Sequence, residues 1–198
     1  LALSVILGYL RRFKYVWAIL PLGFVVILLY YCFPAFQGQF IYENLRVKIP
    51  TEYFELVRYF GKQEKNERIA ILPQPSYWGW TYANWGYRGA GFIWFGLPQP
   101  SLDGSSFPWS KQNENYYWEL DQAINSGNSI FLESVLNKYQ ISWVVLDTSV
   151  YSLYSPEASS FEGLKKLLQE SSQISLARKF GTLEVYKVRS DSGKNAFV

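Results

Sequence analysis

The chain contains no histidine, no methionine and a single cysteine. Without His, the commonest metal ligand and the commonest general base are both missing, which excludes Cys/His zinc sites and any Ser–His or Cys–His dyad. The one cysteine, Cys32, lies in an apolar run, so the rest of the chain has no disulfide framework. Carboxylates remain as the acid–base groups, and no pair of them stands out as a couple. The expectation is therefore no catalytic residue, no metal ligand and no cofactor within these residues. Net charge is only +3, with Lys and Arg scattered. A nucleic-acid footprint would gather them on one face, so no nucleic-acid partner is expected. A start at Leu1 reads as a fragment or a processed chain.

Charge is also missing locally. From Tyr15 to Tyr42 there is no Asp, Glu, Lys or Arg. About 20 apolar residues, at ~1.5 Å each, span the ~30 Å hydrocarbon layer of a bilayer. Residues 15–34 are therefore expected to be a transmembrane helix, with Pro21 and Gly23 in its first half. Tyr15, Trp17, Tyr30 and Tyr31 stand near its ends, where amphipathic rings prefer the interface. Arg11, Arg12 and Lys14 precede it, which by the positive-inside rule places the N-terminal side in the cytoplasm and everything after Pro34 outside. Residues 1–10 (LALSVILGYL) are apolar but too short to span. They read as the remnant of a preceding transmembrane helix or as part of an uncleaved signal anchor, and residues 11–14 as a cytoplasmic turn. No lipobox precedes Cys32.

Beyond a linker at 35–49, residues 50–188 read as one compact extracytoplasmic α/β domain, and 189–198 as a disordered tail. Thr51 can cap a helix carrying Tyr53, Leu56, Val57 and Phe60 at helical spacing. Arg68–Leu72 is a short apolar strand, followed by an irregular stretch from Pro73 to about Gln112. Helices are expected over 113–126, facing inward with Tyr117, Leu120, Ala123 and Ile124, and over 129–140, with Ile130, Phe131, Val135, Leu136 and Tyr139. Ile141–Asp147 is nearly continuous in apolar residues, as a central strand is. Phe161, Leu164, Leu167 and Leu168 mark another helix, and 174–180 with 182–188 a terminal hairpin. Alternating strands and helices closed by a hairpin predict a mixed sheet.

The compositional outlier is the stretch from Pro73 to Pro100. Six of the eight tryptophans fall between Trp78 and Trp118, with glycines between them. Three readings stay open: aromatic packing of a long loop, a membrane-proximal surface, and a contact with carbohydrate or a lipid-linked sugar. On the third, Trp78, Trp80, Trp85 and Trp94 stack on sugar faces while Asn84, Arg88 and Asp103 bond hydroxyls or phosphate. Asp147, at the end of the central strand, is either a ligand group at the sheet edge or a cap for the departing turn.

The order of parts, namely a transmembrane helix, “IPTEYFELVRYF”, “RIAILP”, “YWGWTYANWGYRG” and “LNKYQISWVVLD”, resembles the C-terminal region of bacterial multi-pass membrane proteins of the GT-C glycosyltransferase type and their uncharacterised relatives. The likeness covers most of residues 15–188. It implies transfer of sugars from polyprenyl-phosphate donors outside the cytoplasmic membrane, with catalytic carboxylates in an early outer loop that this chain does not contain. What it implies for these residues is an accessory extracytoplasmic domain in cell-envelope glycan or glycolipid assembly. Its partners would be the lipid bilayer and a polyprenyl-linked sugar or glycan. The alternative is a non-enzymatic anchored module that binds an envelope glycan or a partner protein.

Overall fold

The computed structural model describes residues 16–38, 46–90, 93–103, 110–150 and 161–189. The expected helix remnant at 1–10, the turn at 11–14 and the tail from 190 lie outside the described residues. The chain divides into two units, residues 1–46 and 47–198.

The first unit holds helix α1, Val16–Phe36, with Pro21 and Pro34 inside it. The helix continues two residues past the expected boundary at Pro34. Proline gives up only its own N–H, and the stop comes instead at Gly38, which adopts φ +73° and donates its N–H to Ala35 O at 3.0 Å. None of the 18 residues Ile19–Phe36 is buried, and the helix is long and apolar enough to cross a membrane. A helix apolar on all sides needs an apolar surrounding to be stable.

The second unit is a mixed four-stranded sheet between helices. Its strands are β1 (Arg68–Leu72), β4 (Ile141–Asp147), β5 (Ile174–Phe180) and β6 (Leu183–Val188), in the order β1-β4-β6-β5. β1 and β4 run parallel, while β6 is antiparallel to both β4 and β5. Helices α3 (Lys111–Ser126) and α4 (Ser129–Lys138) lie in the crossover from β1 to β4, and α5 (Phe161–Glu170) connects β4 to β5. Helix α2 (Thr51–Phe60) precedes β1. Because strand side chains alternate, β4 sends Val144 and Leu146 into one core with α3, α4 and α5. It sends Trp143 and Val145 into a second core with Tyr53, Leu56 and Phe60 of α2. Strand β4 is buried on both faces, as its sequence requires.

Several local expectations are corrected. Pro50, not Thr51, is the N-cap residue of α2, and no side chain caps it. The fixed proline φ of −61° pre-sets the chain for the helix that Thr51 begins. Helix α3 starts at Lys111 because Ser110 Oγ accepts from Asn113 N at 3.1 Å. Its buried face carries Tyr116 rather than Tyr117, and α4 turns Leu132 inward while Ile130 is 75% exposed. The apolar spacing admitted either neighbour, and only the pitch set by the caps chose between them. Arg189, assigned to the tail, extends the hairpin by donating its N–H to Gln173 O at 2.8 Å.

Within the stretch read as irregular, β2 (Trp80–Tyr82) and β3 (Arg88–Ala90) form an antiparallel ribbon. Ser101 lies parallel beside Ile69, and Ile69 N donates to Pro100 O at 3.0 Å. Gln99 Nε2 donates to Phe60 O at 2.7 Å, satisfying a carbonyl at the end of α2.

Leu146 is wholly buried in the central strand. Leu146→Ala should lower unfolding stability by about 2–5 kcal/mol, read from the shift of the urea midpoint at constant slope.

Candidate functional site

The ribbon β2–β3 folds over the C-terminal ends of the parallel strands. At its tip, Ala83 N donates to Tyr87 O at 2.9 Å and Gly86 N to Ala83 O at 3.0 Å. Asn84 N then donates to Ser149 O at 2.9 Å, and Ala83 bridges Val150, so the tip is sewn to the chain leaving β4. Gly86 takes φ +101°, and a Cβ there would meet Val47 Cγ1 at 3.3 Å.

This stitching drives Trp85 inward. Its indole Nε1 donates to Tyr53 Oη at 3.0 Å and to Ser149 Oγ at 3.2 Å. Tyr53 Oη donates to Asp147 Oδ2 at 2.5 Å and stands 2.9 Å from Ser149 Oγ. Ser149 N donates to Asp147 Oδ1 at 2.9 Å, which closes a turn after β4. Both carboxylate oxygens of Asp147 are thus engaged, and the residue is 1% exposed. Burial pushes its carboxyl above the ordinary value, and the bonds from Tyr53 and Ser149 oppose that rise. Burial, then the neighbouring Asp147 charge, pushes the Tyr53 phenol up.

Above this node lies a narrow cleft whose free volume, about 20 Å³, is little more than one water needs, with Trp85, Tyr87, Trp94, Pro73 and Thr81 among its walls and Tyr53 and Asp147 at its floor. Trp85 stacks on Tyr87 with centroids 5.6 Å apart and planes at 27°. The walls offer flat rings and few polar atoms. Among the described residues no open acid–base couple faces the cleft, and no group of three His, Cys, Asp or Glu gathers to hold a metal.

The expected contact residues therefore separate. Trp85 and Trp94 line the cleft. Trp78 and Trp80 do not, and are 61% and 49% exposed. Asn84 and Arg88 are exposed on the ribbon. Asp103 belongs elsewhere: Ser101 Oγ donates to its Oδ2 at 2.6 Å, and its own N–H donates back to Ser101 Oγ at 3.0 Å. Enclosure of its carboxyl beside β1 pushes its pKa up from 3.8 to about 6. Tyr53, Tyr87 and Ser149 were absent from the sequence-based site. Tyr53 reads as one more apolar position of α2, and only the fold reveals its hydroxyl at the end of β4.

No protein-family model matches the chain, and no curated protein matches it in sequence. Among solved structures it is similar to the arabinofuranosyltransferase AftD from mycobacteria, with a TM-score of 0.60 and 15% identity over 84% of this chain and 14% of that one. A mutant form of AftD gives a TM-score of 0.56 at 14% identity, over 88% of this chain and 16% of that one. The chain thus spans about one seventh of AftD's length, 14%, and at this identity the likeness is one of fold. The mixed α/β architecture implied by the order of parts is the one it shares with AftD.

Two predictions follow from the buried carboxyls. Tyr53→Phe removes a donor to Asp147 and should cost about 1.5–3 kcal/mol at neutral pH. The cost should shrink as acid protonates Asp147, measured by denaturant unfolding across pH. For Asp103 the folded pKa is raised, so its contribution is fully present below the unfolded value of 3.8 and is lost as pH rises through about 6. Asp103→Asn should accordingly gain stability over wild type between those values. An unchanged difference across that window would count against the enclosed carboxyl.

Proposed function

We propose that this chain is the C-terminal part of a multi-pass, glycosyltransferase-like membrane protein acting in cell-envelope glycan or glycolipid assembly. Its domain is an accessory one, held on the outer side of the bacterial cytoplasmic membrane. The observation that carries the proposal is the fold shared with AftD over 84% of the chain. The apolar helix α1 supports a membrane setting, and the basic residues before it support the outward orientation of the domain. The accessory role is supported by the site itself, where Asp147 is enclosed and bonded rather than open to a substrate.

In this reading the sugar of a polyprenyl-phosphate donor or of an acceptor rests on the rings around the cleft, with Trp85 and Trp94 against its C–H face. Asn84 and Arg88 stand on the exposed ribbon, within one hairpin of Trp85, to meet hydroxyls or phosphate. The alternative is a non-enzymatic anchored module that binds an envelope glycan or a partner protein, a role in which Asp147, bonded through both carboxylate oxygens, only fixes the turn after β4.

The test uses the full chain in lipid nanodiscs and a short-chain polyprenyl-phosphate sugar as probe. Trp85→Ala and Trp94→Ala should each weaken binding roughly tenfold, the loss of one ring contact, by calorimetric titration. Unaltered affinity in both variants, with the fold intact by circular dichroism, would overturn the sugar-binding role and leave the anchored module.

A further inference from the structure

Outside the cleft, two half-exposed tryptophans belong to one cluster. Trp78 is 61% exposed and Trp118 is 52% exposed. Tyr77 joins them: its ring stacks on Trp118, with centroids 5.6 Å apart and planes at 28°, and meets Trp78 edge-on at 5.3 Å. Tyr117 packs edge-on against both Tyr77, at 5.7 Å, and Trp118, at 5.1 Å. Gln74 Nε2 donates to Tyr117 O at 3.2 Å, which pins the loop to helix α3. None of these four rings lines the cleft.

Large rings left half in water, rigidly packed on one another, mark a surface that a partner covers. The charge around them narrows what that partner is. Glu114 accepts from Tyr77 Oη at 3.4 Å. Asp121 stands close enough for its charge to help raise the Tyr117 phenol, after burial as the main cause. Glu119 is neutralised by Lys138 at 2.6 Å. A rim of carboxylates repels anionic headgroups and phosphates. It accepts hydrogen bonds from the hydroxyls of an uncharged sugar whose C–H face lies on a ring.

We infer that Tyr77, Trp78, Tyr117 and Trp118, rimmed by Glu114 and Asp121, form a second binding face, for an uncharged glycan chain. The inference rests on the glycan reading of this domain but assigns the polymer to rings other than those of the cleft. The cleft is narrow, whereas Trp78 and Trp118 present half or more of their surface to solvent, as a polymer lying along them requires.

The test again uses the full chain in phosphatidylcholine nanodiscs, now with lipid-free neutral arabinofuranosyl and glucosyl oligosaccharides as probes. Trp118→Ala and Trp78→Ala should each weaken binding of at least one of them roughly tenfold. Trp118→Phe, which keeps a ring, should retain most of it, and added salt should leave it unmoved. A parallel arm floats the nanodiscs with phosphatidylglycerol vesicles. No oligosaccharide binding by wild type, or binding unaffected by Trp118→Ala and Trp78→Ala, overturns the platform, as does vesicle capture that Trp118→Ala abolishes. If those failures coincide with loss of the polyprenyl-phosphate sugar in Trp85→Ala, the proposed function still stands. Platform variants that lose the oligosaccharide while the cleft variants keep the lipid-linked sugar uphold the platform and remove the cleft.

Discussion

A single hydroxyl holds the functional end of this domain together. Tyr53, on the inner face of α2, donates to Asp147 at the end of β4 and accepts from Trp85 at the tip of the ribbon. Three segments far apart in the chain therefore meet at one oxygen. With no disulfide available, an aromatic loop can be fixed only by burial and hydrogen bonds. The node is worth most because it is dry: a buried donor or acceptor that loses its partner cannot turn to water. Removing the Tyr53 hydroxyl takes the donor from Asp147 Oδ2 and one of the two acceptors from Trp85 Nε1.

The sheet beneath makes that meeting possible. Strand β4 is covered on both faces, so its two alternating sets of side chains belong to different cores. The face toward α2 brings Tyr53 over the strand end, while the opposite face anchors the helices of the crossover. The ribbon closes over the end of β4 through the main-chain bond from Asn84 N to Ser149 O and the bridge between Ala83 and Val150.

Tryptophan serves two purposes here, decided by which way the backbone turns. Trp85 and Trp94 face inward and wall a cleft, whereas Trp78 and Trp118 face water on a rigid cluster. An inward ring stabilises the loop and shapes a small site. An outward ring contributes little to folding, so its presence on a packed cluster points to a ligand. The proposed division, with a lipid-linked sugar at the cleft and a neutral polymer on the platform, follows from that difference in exposure and from the carboxylates beside the outer rings.

By itself the sequence determined the elements whose signal is local. Uncharged residues from Val16 to Phe36 dictate an apolar helix. Nearly continuous apolar character at Ile141–Asp147 dictates a strand buried on both faces, and Gly181 marks the turn of the terminal hairpin. Even the division of labour in β4 follows from its period of two. Choices between adjacent residues did not follow. Tyr116 against Tyr117 and Leu132 against Ile130 differ by one position, and cap geometry at Ser110 and Asn128 settled them. The β2–β3 ribbon was invisible because its strands are three residues long and carry no alternating pattern. The site itself was decided only by tertiary structure. Four candidate tryptophans close in sequence end in two different environments, and Tyr53 joins Asp147 across 94 positions. Periodicity reports which side of an element is apolar, but which hydroxyl meets which carboxylate depends on packing between elements.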